Sequence, residues 1–312
     1  MKNLFVFALC LLLGQHGMAH GFDESEMNIP SNGVEISGTL TMPAHAHGAV
    51  PLVILIAGSG PTDRDCNQQG MKSDAFKKLA HALVINGIAV FRYDKRGVGK
   101  STIKNFDESM LRFDDMVADA SAVRASFAQD KRFSGITFAG HSEGSLVGMK
   151  ATPQGSKYIS IAGPADDAST ILKTQLKGRL GSLEDQTFKQ LDSLAAGQMV
   201  TCNMPALMAL FRPSVQPYLI SWFKYKPTTE IKKLDAPVLI INGTADLQVA
   251  VAEAEKLHQA KQGSTLLLID KMNHVLTELS DLDPKTNSES YGKPELPVSK
   301  KLVDAIALFV LK

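Results

Sequence analysis

Short apolar runs alternate with amphipathic stretches along most of the chain. Continuous apolar runs, typical of strands buried on both faces of a parallel sheet, occupy residues 50–56, 88–93, 136–138, 158–163, 237–241 and 265–269. Between and after them, apolar residues recur at helical spacing in residues 76–84, 113–128, 251–260 and 298–311. This alternation predicts an α/β protein with a mostly parallel sheet and helices on both faces.

Residues 34–42 follow a different pattern, since apolar and polar side chains alternate there. Alternation with a period of two is typical of an antiparallel strand with one solvated face. His45 and His47 follow this strand, but no further metal ligand stands near them in the sequence. We therefore expect a solvated loop there.

Residues 164–236 interrupt the alternation, because they contain helical patterns but no strand pattern. Their first half is charged, and their second half is rich in methionine and aromatic residues. A connection of this length within a compact domain is usually functional. We expect a helical cap at 164–236, inserted between the two parts of the core, 20–163 and 237–312, with a minority of its apolar side chains lining a pocket.

The first residues have the pattern of a secretory signal peptide. Lys2 precedes an almost wholly apolar stretch at residues 4–13, and small residues suited to a cleavage site follow, ending at Ala19. The apolar stretch is too short to span a bilayer. Cys10 follows Leu9, whereas a lipoprotein cleavage site requires a small residue there. We expect cleavage after about residue 19, a secreted or periplasmic protein, and no stable membrane anchor.

Composition and charge narrow the function classes. With 44% hydrophobic and 21% charged residues, the 312-residue chain is typical of a globular protein. Loss of residues 1–19 removes one of the 33 basic residues, Lys2, and none of the 32 acidic ones, so the mature chain is neutral. A neutral chain is a poor partner for nucleic acid. Two cysteines remain, Cys66 and Cys202, and their spacing leaves open whether they pair.

A serine lies between glycines in the sequence Gly-His-Ser-Glu-Gly at residues 140–144, directly after the apolar run 136–138. A strand that reverses sharply into a helix places the serine at this position in a strained conformation, with its hydroxyl exposed. The residues after Gly144 are compatible with a helix. The pattern predicts that Ser142 is a nucleophile.

A serine hydroxyl needs a base to remove its proton, and the base needs a carboxylate to orient it. Asp246 follows the strand at 237–241, and His274 follows the strand at 265–269. The other histidines fall in the predicted leader, on helices, before the sheet or beside the serine. Asp270 is a second possible carboxylate, but it stands too close in sequence to orient the His274 ring. We therefore expect Ser142, His274 and Asp246 to act together.

The tetrahedral intermediate of acyl transfer also needs donors for its oxyanion. The N–H group of Glu143, directly after the nucleophile, is the first predicted donor. The second should come from the glycine-rich loop at 58–60, where Ser59 is the expected donor, because Pro61 has no N–H group.

Five motifs in this order resemble the α/β-hydrolase superfamily. They are Gly-Ser-Gly-Pro-Thr-Asp-Arg-Asp at 58–65, Tyr-Asp-Lys-Arg-Gly at 93–97, the serine motif at 140–144, Asn-Gly-Thr-Ala-Asp at 242–246 and Asn-His at 273–274. Within the superfamily, the first two resemble capped bacterial esterases allied to the serine aminopeptidase group. The resemblance implies a mostly parallel eight-stranded sheet flanked by helices, with an inserted helical cap.

The resemblance also implies two structural roles. Asp63, Arg64, Asp94 and Arg96 should tie the first two motif loops together by ion pairs. Cys66 stands where these esterases more often have glycine, and we expect it to be a small buried residue.

These observations predict a serine hydrolase that cleaves small-molecule carboxylic (acyl) esters through an acyl-enzyme, with no cofactor and no metal. One alternative is a peptidase or amidase of the same fold, in which Asp166 and Asp167 could recognise a free amino terminus. A protein that binds ligands without catalysis is a third alternative. The acyl chain, the physiological substrate and the oligomeric state do not follow from the sequence.

Overall fold

The structure, a computed structural model, describes residues 21–202 and 204–312. Its strands are β1 (Phe22–Ser31), β2 (Val34–Pro43), β3 (Val50–Ile56), β4 (Ala89–Tyr93), β5 (Phe133–His141), β6 (Tyr158–Ile161), β7 (Val238–Gly243) and β8 (Thr265–Ile269). They form one eight-stranded sheet in the order β1-β2-β4-β3-β5-β6-β7-β8. The predicted signal peptide, residues 1–19, lies outside the described residues.

Most of the sheet is parallel. Strand β2 pairs antiparallel with both of its neighbours, whereas every pair from β4 to β8 in the sheet order is parallel. The carboxyl ends of these parallel strands lie along one edge of the sheet, where α/β proteins place their functional loops. The predicted α/β class and mostly parallel sheet are confirmed.

The helices are α1 (Ala75–Ile85), α2 (Phe113–Phe127), α3 (Glu143–Ala151), α4 (Ala168–Leu176), α5 (Glu184–Ala195), α6 (Met208–Phe211), α7 (Gln216–Phe223), α8 (Pro227–Glu230), α9 (Val251–Ala260), α10 (Pro284–Ser290) and α11 (Lys300–Leu311). Short 3₁₀ turns occur at Glu108–Met110, Gly181–Leu183, Pro205–Leu207 and Ile231–Lys233. None of the described helices is long and apolar enough to cross a membrane.

Alternate residues of the apolar strands pack against opposite helical layers, as the two-residue period of a strand requires. In β3, Leu52 and Ile54 pack in a cluster with α2, α3 and α9. Val53 and Leu55 pack on the other face, in a cluster with α1 and α11. Because both faces are covered, the central strands are continuous apolar runs rather than alternating ones.

Strand β1 has no counterpart among the strands predicted from the hydrophobic pattern. Its residues are mostly polar and exposed, so no apolar period marks it. The signal that could have revealed it is Asn32-Gly33, because this dipeptide favours a two-residue hairpin turn. Both residues have positive φ, 45° and 80°, and Ser31 pairs with Val34 across the turn.

Helices α4 to α8 occupy the connection between β6 and β7, and we call residues 164–236 the inserted segment. The segment has an apolar cluster of its own, to which α4, α5 and α7 contribute Ala168, Leu191, Leu194, Leu219 and Phe223. Most of its apolar side chains therefore pack against one another. The division of the chain into a core and a cap with boundaries at 164 and 236 stays a prediction.

Candidate active site

Ser142 lies at the turn between β5 and α3, in a backbone conformation that L-residues rarely adopt. Its φ is 55° and its ψ is −124°. The turn is so tight that a Cβ on Gly140 would lie 2.2 Å from the carbonyl oxygen of Gly144. A Cβ on Gly144 would lie 2.3 Å from the carbonyl oxygen of Ile56. The glycines on both sides of the serine are therefore required by contact with backbone.

Asp246 and His274 are in direct contact at the same edge of the sheet. His274 Nδ1 lies 2.8 Å from Asp246 Oδ2, and the two side chains are 7% and 0% exposed. Since the carboxylate accepts at Nδ1, the Nδ1–H tautomer is favoured, and Nε2 is left free to accept a proton.

The Asp246 carboxylate is stabilised in its charged form. Burial alone would raise its pKa, but His274 and the N–H groups of Gln248 and Val249 outweigh burial and lower the pKa below its ordinary value. Both N–H groups donate to Oδ1, over 2.8 and 2.9 Å. One oxygen of Asp246 is thus held by its own loop, and the other faces His274.

His141 connects the serine turn to the His274 loop. Its Nε2 donates to the carbonyl oxygen of His274 over 2.9 Å, and the two ring centroids are 4.6 Å apart. Burial, together with the nearby His274, lowers the pKa of His141 to about 3, so the ring is neutral at physiological pH. The residues before Ser142 and the His274 loop are therefore neighbours, although no hydrogen bond within the described residues joins the Ser142 hydroxyl to His274.

The two predicted oxyanion donors lie on loops that adjoin Ser142. A Cβ on Gly58 would lie 3.1 Å from Ser142 Cβ, so the loop that contains Ser59 is in contact with the serine. Ser59 is exposed, and its N–H has no backbone acceptor within the described residues. Glu143 is the first residue of α3, where an N–H group has no intrahelical acceptor.

Two side chains that sequence reasoning did not place in the site lie beside these donors, those of Lys95 and Tyr218. Lys95 Nζ donates to the carbonyl oxygen of Gly58 over 3.0 Å and lies 3.1 Å from Glu143 Oε1. Tyr218, from the inserted segment, donates to the same Glu143 oxygen over 2.7 Å. Lys95 stands in the recognised Asp-Lys-Arg-Gly motif, but nothing in the sequence indicates its partners.

The ion pairs implied by the resemblance are present only in part. Arg64 pairs with Asp94 over 2.7 Å, as expected, and thereby joins the first two motif loops. The expectation for Arg96 was wrong, because its guanidinium pairs with Asp119 of α2 instead. Asp63 forms no ion pair within the described residues and accepts from the N–H groups of Asp65 and Asn67.

Cys66 is buried, as expected, and its φ of 69° lies in the left-handed region that glycine adopts most readily. Cys66 and Cys202 both have free thiols. Among residues 21–202 and 204–312, no three acidic, histidine or cysteine side chains come together as ligands for a metal ion.

Comparison with known proteins gives three kinds of similarity. The family described as serine aminopeptidase, S33 matches residues 68–171. Esterase EstD from Thermotoga maritima is 26% identical over 307 residues, an alignment that covers 93% of this chain and 68% of the relative.

Solved structures with the same fold include Est1E from Butyrivibrio proteoclasticus with bound ferulic acid, with a TM-score of 0.62 and 19% identity, covering 91% of this chain and 99% of that one. Proline iminopeptidase from Mycobacterium smegmatis has a TM-score of 0.59 and 17% identity, covering 92% of this chain and 98% of that one. At these identities the structures show the fold alone. Taken together, the comparisons confirm the resemblance to esterases and the serine aminopeptidase group, and they confirm the prediction of a hydrolase.

Proposed function

We propose that this chain, a hydrolase with the α/β-hydrolase fold, cleaves carboxylic esters through an acyl-enzyme on Ser142. The observation that supports this most directly is the 2.8 Å contact between His274 and Asp246. Asp246 follows β7 and His274 follows β8, the second and third strands from β5 in the parallel part of the sheet, and β5 leads to Ser142. The strained turn at Ser142 adds a second, independent indication of a nucleophile.

In the acylation step, Ser142 Oγ attacks the ester carbonyl carbon, and His274 Nε2 accepts the hydroxyl proton. The Asp246 carboxylate stabilises the imidazolium that forms, and its lowered pKa keeps it charged while it does so. Collapse of the tetrahedral intermediate breaks the bond to the alcohol oxygen. His274 returns its proton to that oxygen, so the alcohol leaves neutral.

Deacylation repeats these proton transfers with water as the nucleophile. His274 removes a proton from water, the resulting hydroxide attacks the acyl carbon, and the proton returns to Ser142 Oγ as the acid leaves. In both steps the N–H groups of Ser59 and Glu143 would donate to the oxyanion. Each such donor is typically worth about 10²- to 10³-fold in kcat.

A peptidase of the same fold uses the same three residues, so the choice between the two activities depends on how the substrate amine is recognised. The two carboxylates that could have bound an amino terminus are already engaged. Asp166 pairs with Lys256 over 2.5 Å, and Asp167 accepts from the Thr170 N–H at the start of α4. This favours ester over peptide substrates.

The proposal is tested by comparing the parent protein with S142A and D246N on short-chain p-nitrophenyl esters and on aminoacyl naphthylamides. We expect ester turnover by the parent, a loss of at least about 10⁴-fold in S142A and about 10⁴-fold in D246N. The exposed Ser121 on α2 supplies a matched control, S121A.

A fluorophosphonate probe should label the parent and not S142A. Equal ester turnover by S142A and the parent would exclude Ser142 as the nucleophile. Preferential cleavage of the naphthylamides would assign a peptidase instead, and a parent protein that neither turns over substrate nor takes the label would be a binding protein.

We also propose export of the protein through the leader at residues 1–19, since its apolar stretch at 4–13 follows a single lysine. Expression in a Gram-negative bacterium should give a periplasmic product whose amino terminus lies near residue 20. An arginine in the apolar stretch, L12R, should keep the full-length chain in the cytoplasm. Equal export of L12R without cleavage would contradict the proposal.

A further inference from the structure

The side chain of Lys95 forms a hydrogen bond with the backbone of the predicted oxyanion loop, residues 58–60. Lys95 follows β4, and its Nζ donates to the carbonyl oxygen of Gly58 over 3.0 Å. The carbonyl of Gly58 and the N–H of Ser59 belong to one peptide unit. In a trans peptide these two groups point in opposite directions, so the bond from Lys95 turns the Ser59 N–H to the side away from the lysine.

Glu143 supplies the second contact of Lys95. Its side chain is 2% exposed, and Oε1 lies 3.1 Å from Lys95 Nζ. Its other oxygen, Oε2, is buried and has no hydrogen-bond partner within the described residues. A buried carboxylate beside a developing oxyanion opposes its formation unless a cation neutralises it. Lys95 is the cation in contact with it.

The inserted segment contacts the same pair. The Tyr218 hydroxyl, on α7, donates to Glu143 Oε1 over 2.7 Å, and burial beside Glu143 raises the pKa of Tyr218 well above its ordinary value. The Tyr218 hydroxyl is therefore the donor in this hydrogen bond, and the Glu143 carboxylate is the acceptor. Hydrogen bonds consequently run from the inserted segment through Glu143 and Lys95 to the Gly58–Ser59 peptide.

We propose that Lys95 is a positioning residue that fixes the Gly58–Ser59 peptide so that the Ser59 N–H can donate to the oxyanion, and that Tyr218 holds Lys95 in place through Glu143. This inference rests on the proposed function. It assigns no direct contact with the substrate to Lys95. The inference predicts that loss of Lys95 weakens stabilisation of the transition state but not substrate binding, because substrate binding before attack does not use the oxyanion donors.

The test uses K95M, K95R and a matched control, K157M. Lys157 is also a half-buried lysine whose Nζ donates to backbone carbonyls, those of Phe309 and Val310, but it precedes β6 and so lies at the opposite edge of the sheet. The measurements are kcat and KM for a p-nitrophenyl ester and the inhibition constant of a trifluoromethyl ketone, which forms an oxyanion on the serine.

We expect K95M to lower kcat by about 10- to 100-fold, less than outright loss of a donor, with KM changed by no more than about threefold. The inhibition constant of the trifluoromethyl ketone should rise by the same factor as kcat falls. K95R should recover part of the loss, and K157M should stay within about twofold of the parent. Unchanged kcat in K95M, or an equal loss in K157M, would overturn the inference.

Two double variants separate positioning from charge neutralisation. If Lys95 only neutralised Glu143, then K95M/E143Q would recover the parent kcat, and that result would overturn the inference. We expect K95M/E143Q to stay impaired.

We also expect Y218F to lower kcat in the parent but not further in K95M, because the effects of residues that act through one another are not additive. Fully additive losses would remove Tyr218 from the network.

A failure of this inference is distinguishable from a failure of the proposed function. If the parent hydrolyses the ester, S142A does not, and K95M matches the parent, only the role of Lys95 is wrong. If the parent and S142A are equally inactive towards esters, the proposed function itself is wrong. The thermal midpoint of each variant shows whether it is folded. If K95M is misfolded, the conservative variant K95R still tests the inference.

Discussion

Asn287 donates from Nδ2 to the carbonyl oxygen of Ala245 over 2.7 Å, directly before Asp246 in the chain. Its Oδ1 accepts from Asn273 Nδ2 over 3.2 Å, directly before His274. One buried amide on α10 thus joins the loops that bring Asp246 and His274 together. Asn287 is 3% exposed and Asn273 is fully buried, so these hydrogen bonds do not compete with solvent.

Replacement of Asn287 by leucine should lower kcat/KM for ester hydrolysis by about 10- to 100-fold, because small displacements of catalytic groups have effects of this size. Leucine fills a similar volume and offers neither a donor nor an acceptor. The buried carbonyl of Ala245 and amide of Asn273 then lose a partner, which should cost about 1–3 kcal/mol of stability. Ester kinetics and urea unfolding of N287L measure the two effects.

Asn86 supplies the control for this substitution. Its amide donates to the carbonyl of Ala82 on the exposed end of α1, so N86L removes a side-chain hydrogen bond far from the buried loops. We expect N86L to retain the parent kcat/KM. An N287L protein as active as N86L would show that α10 has no part in aligning Asp246 and His274.

Replacement of Gly144 by alanine should destabilise the fold by about 2–4 kcal/mol. The new Cβ would lie 2.3 Å from the carbonyl oxygen of Ile56 and 2.5 Å from that of Ala57, and both are backbone atoms that cannot rotate away. The start of α3 must therefore shift, and ester turnover should fall with it. The measurement is the free energy of unfolding of G144A together with its kcat/KM.

Gly135 supplies the control substitution for G144A. It lies at the amino end of β5, where an added Cβ would meet nothing within 4 Å. G135A should therefore keep the parent kcat/KM and a stability within about 1 kcal/mol of the parent. Equal stabilities of G144A and G135A would contradict the close approach of α3 to β3.

The hydrophobic pattern could predict the central sheet because burial on both faces leaves continuous apolar runs such as Val50–Ile56. It could also place Ser142, Asp246 and His274 at strand ends, since each follows such a run within five residues. Parallel strands then bring these ends to one edge. Their catalytic roles stay predictions. Strand β1 was missed because its exposed polar residues carry no burial signal, and only the Asn32-Gly33 turn marks it.

Contacts between side chains far apart in the sequence were not predictable in the same way. Arg96 was expected to pair within the motif loops, yet its partner Asp119 lies on α2, and many acidic residues were equally possible from the sequence. The partners of Lys95 are likewise set by how loops from β3, β5 and α7 meet. From the residue type one can predict that a buried charge needs a partner of opposite charge. The packing of the elements decides which one.

His141 should make the protein more sensitive to acid. Burial lowers its pKa to about 3 from an ordinary value of 6.5. Between these values the unfolded chain binds a proton at His141 and the folded protein does not. Stability is therefore unaffected above about pH 6.5 and falls as the pH drops towards 3, by up to about 1.4 kcal/mol per pH unit.

The variant H141Q removes this titration and keeps a side-chain donor. Urea unfolding of the parent and H141Q at pH 8 measures the effect of the substitution itself, because the imidazole is neutral in both states there. Between pH 6 and 4, the stability of the parent should fall more steeply than that of H141Q. Parallel curves for the two proteins would show that His141 protonates freely in the folded state.

Cys66 has a free thiol. We expect this thiol to be unreactive towards thiol reagents while the protein is folded. Burial raises the pKa of Cys66 to about 12 from an ordinary value of 9.0, and Asp63 and Asp65 act in the same direction. Since the thiolate is the reactive form, this pKa difference alone slows reaction at pH 8 by about a thousandfold.

The variant C202S, in the form that begins after residue 19, isolates this thiol. With a chromogenic disulfide reagent at pH 8, native C202S should react at least about a thousandfold more slowly than the same protein in urea. The converse variant C66S reports the half-buried Cys202 and should react readily while folded. Similar rates for native and unfolded C202S would show that the loop containing Cys66 opens to solvent. That result would contradict the prediction that burial protects the Cys66 thiol.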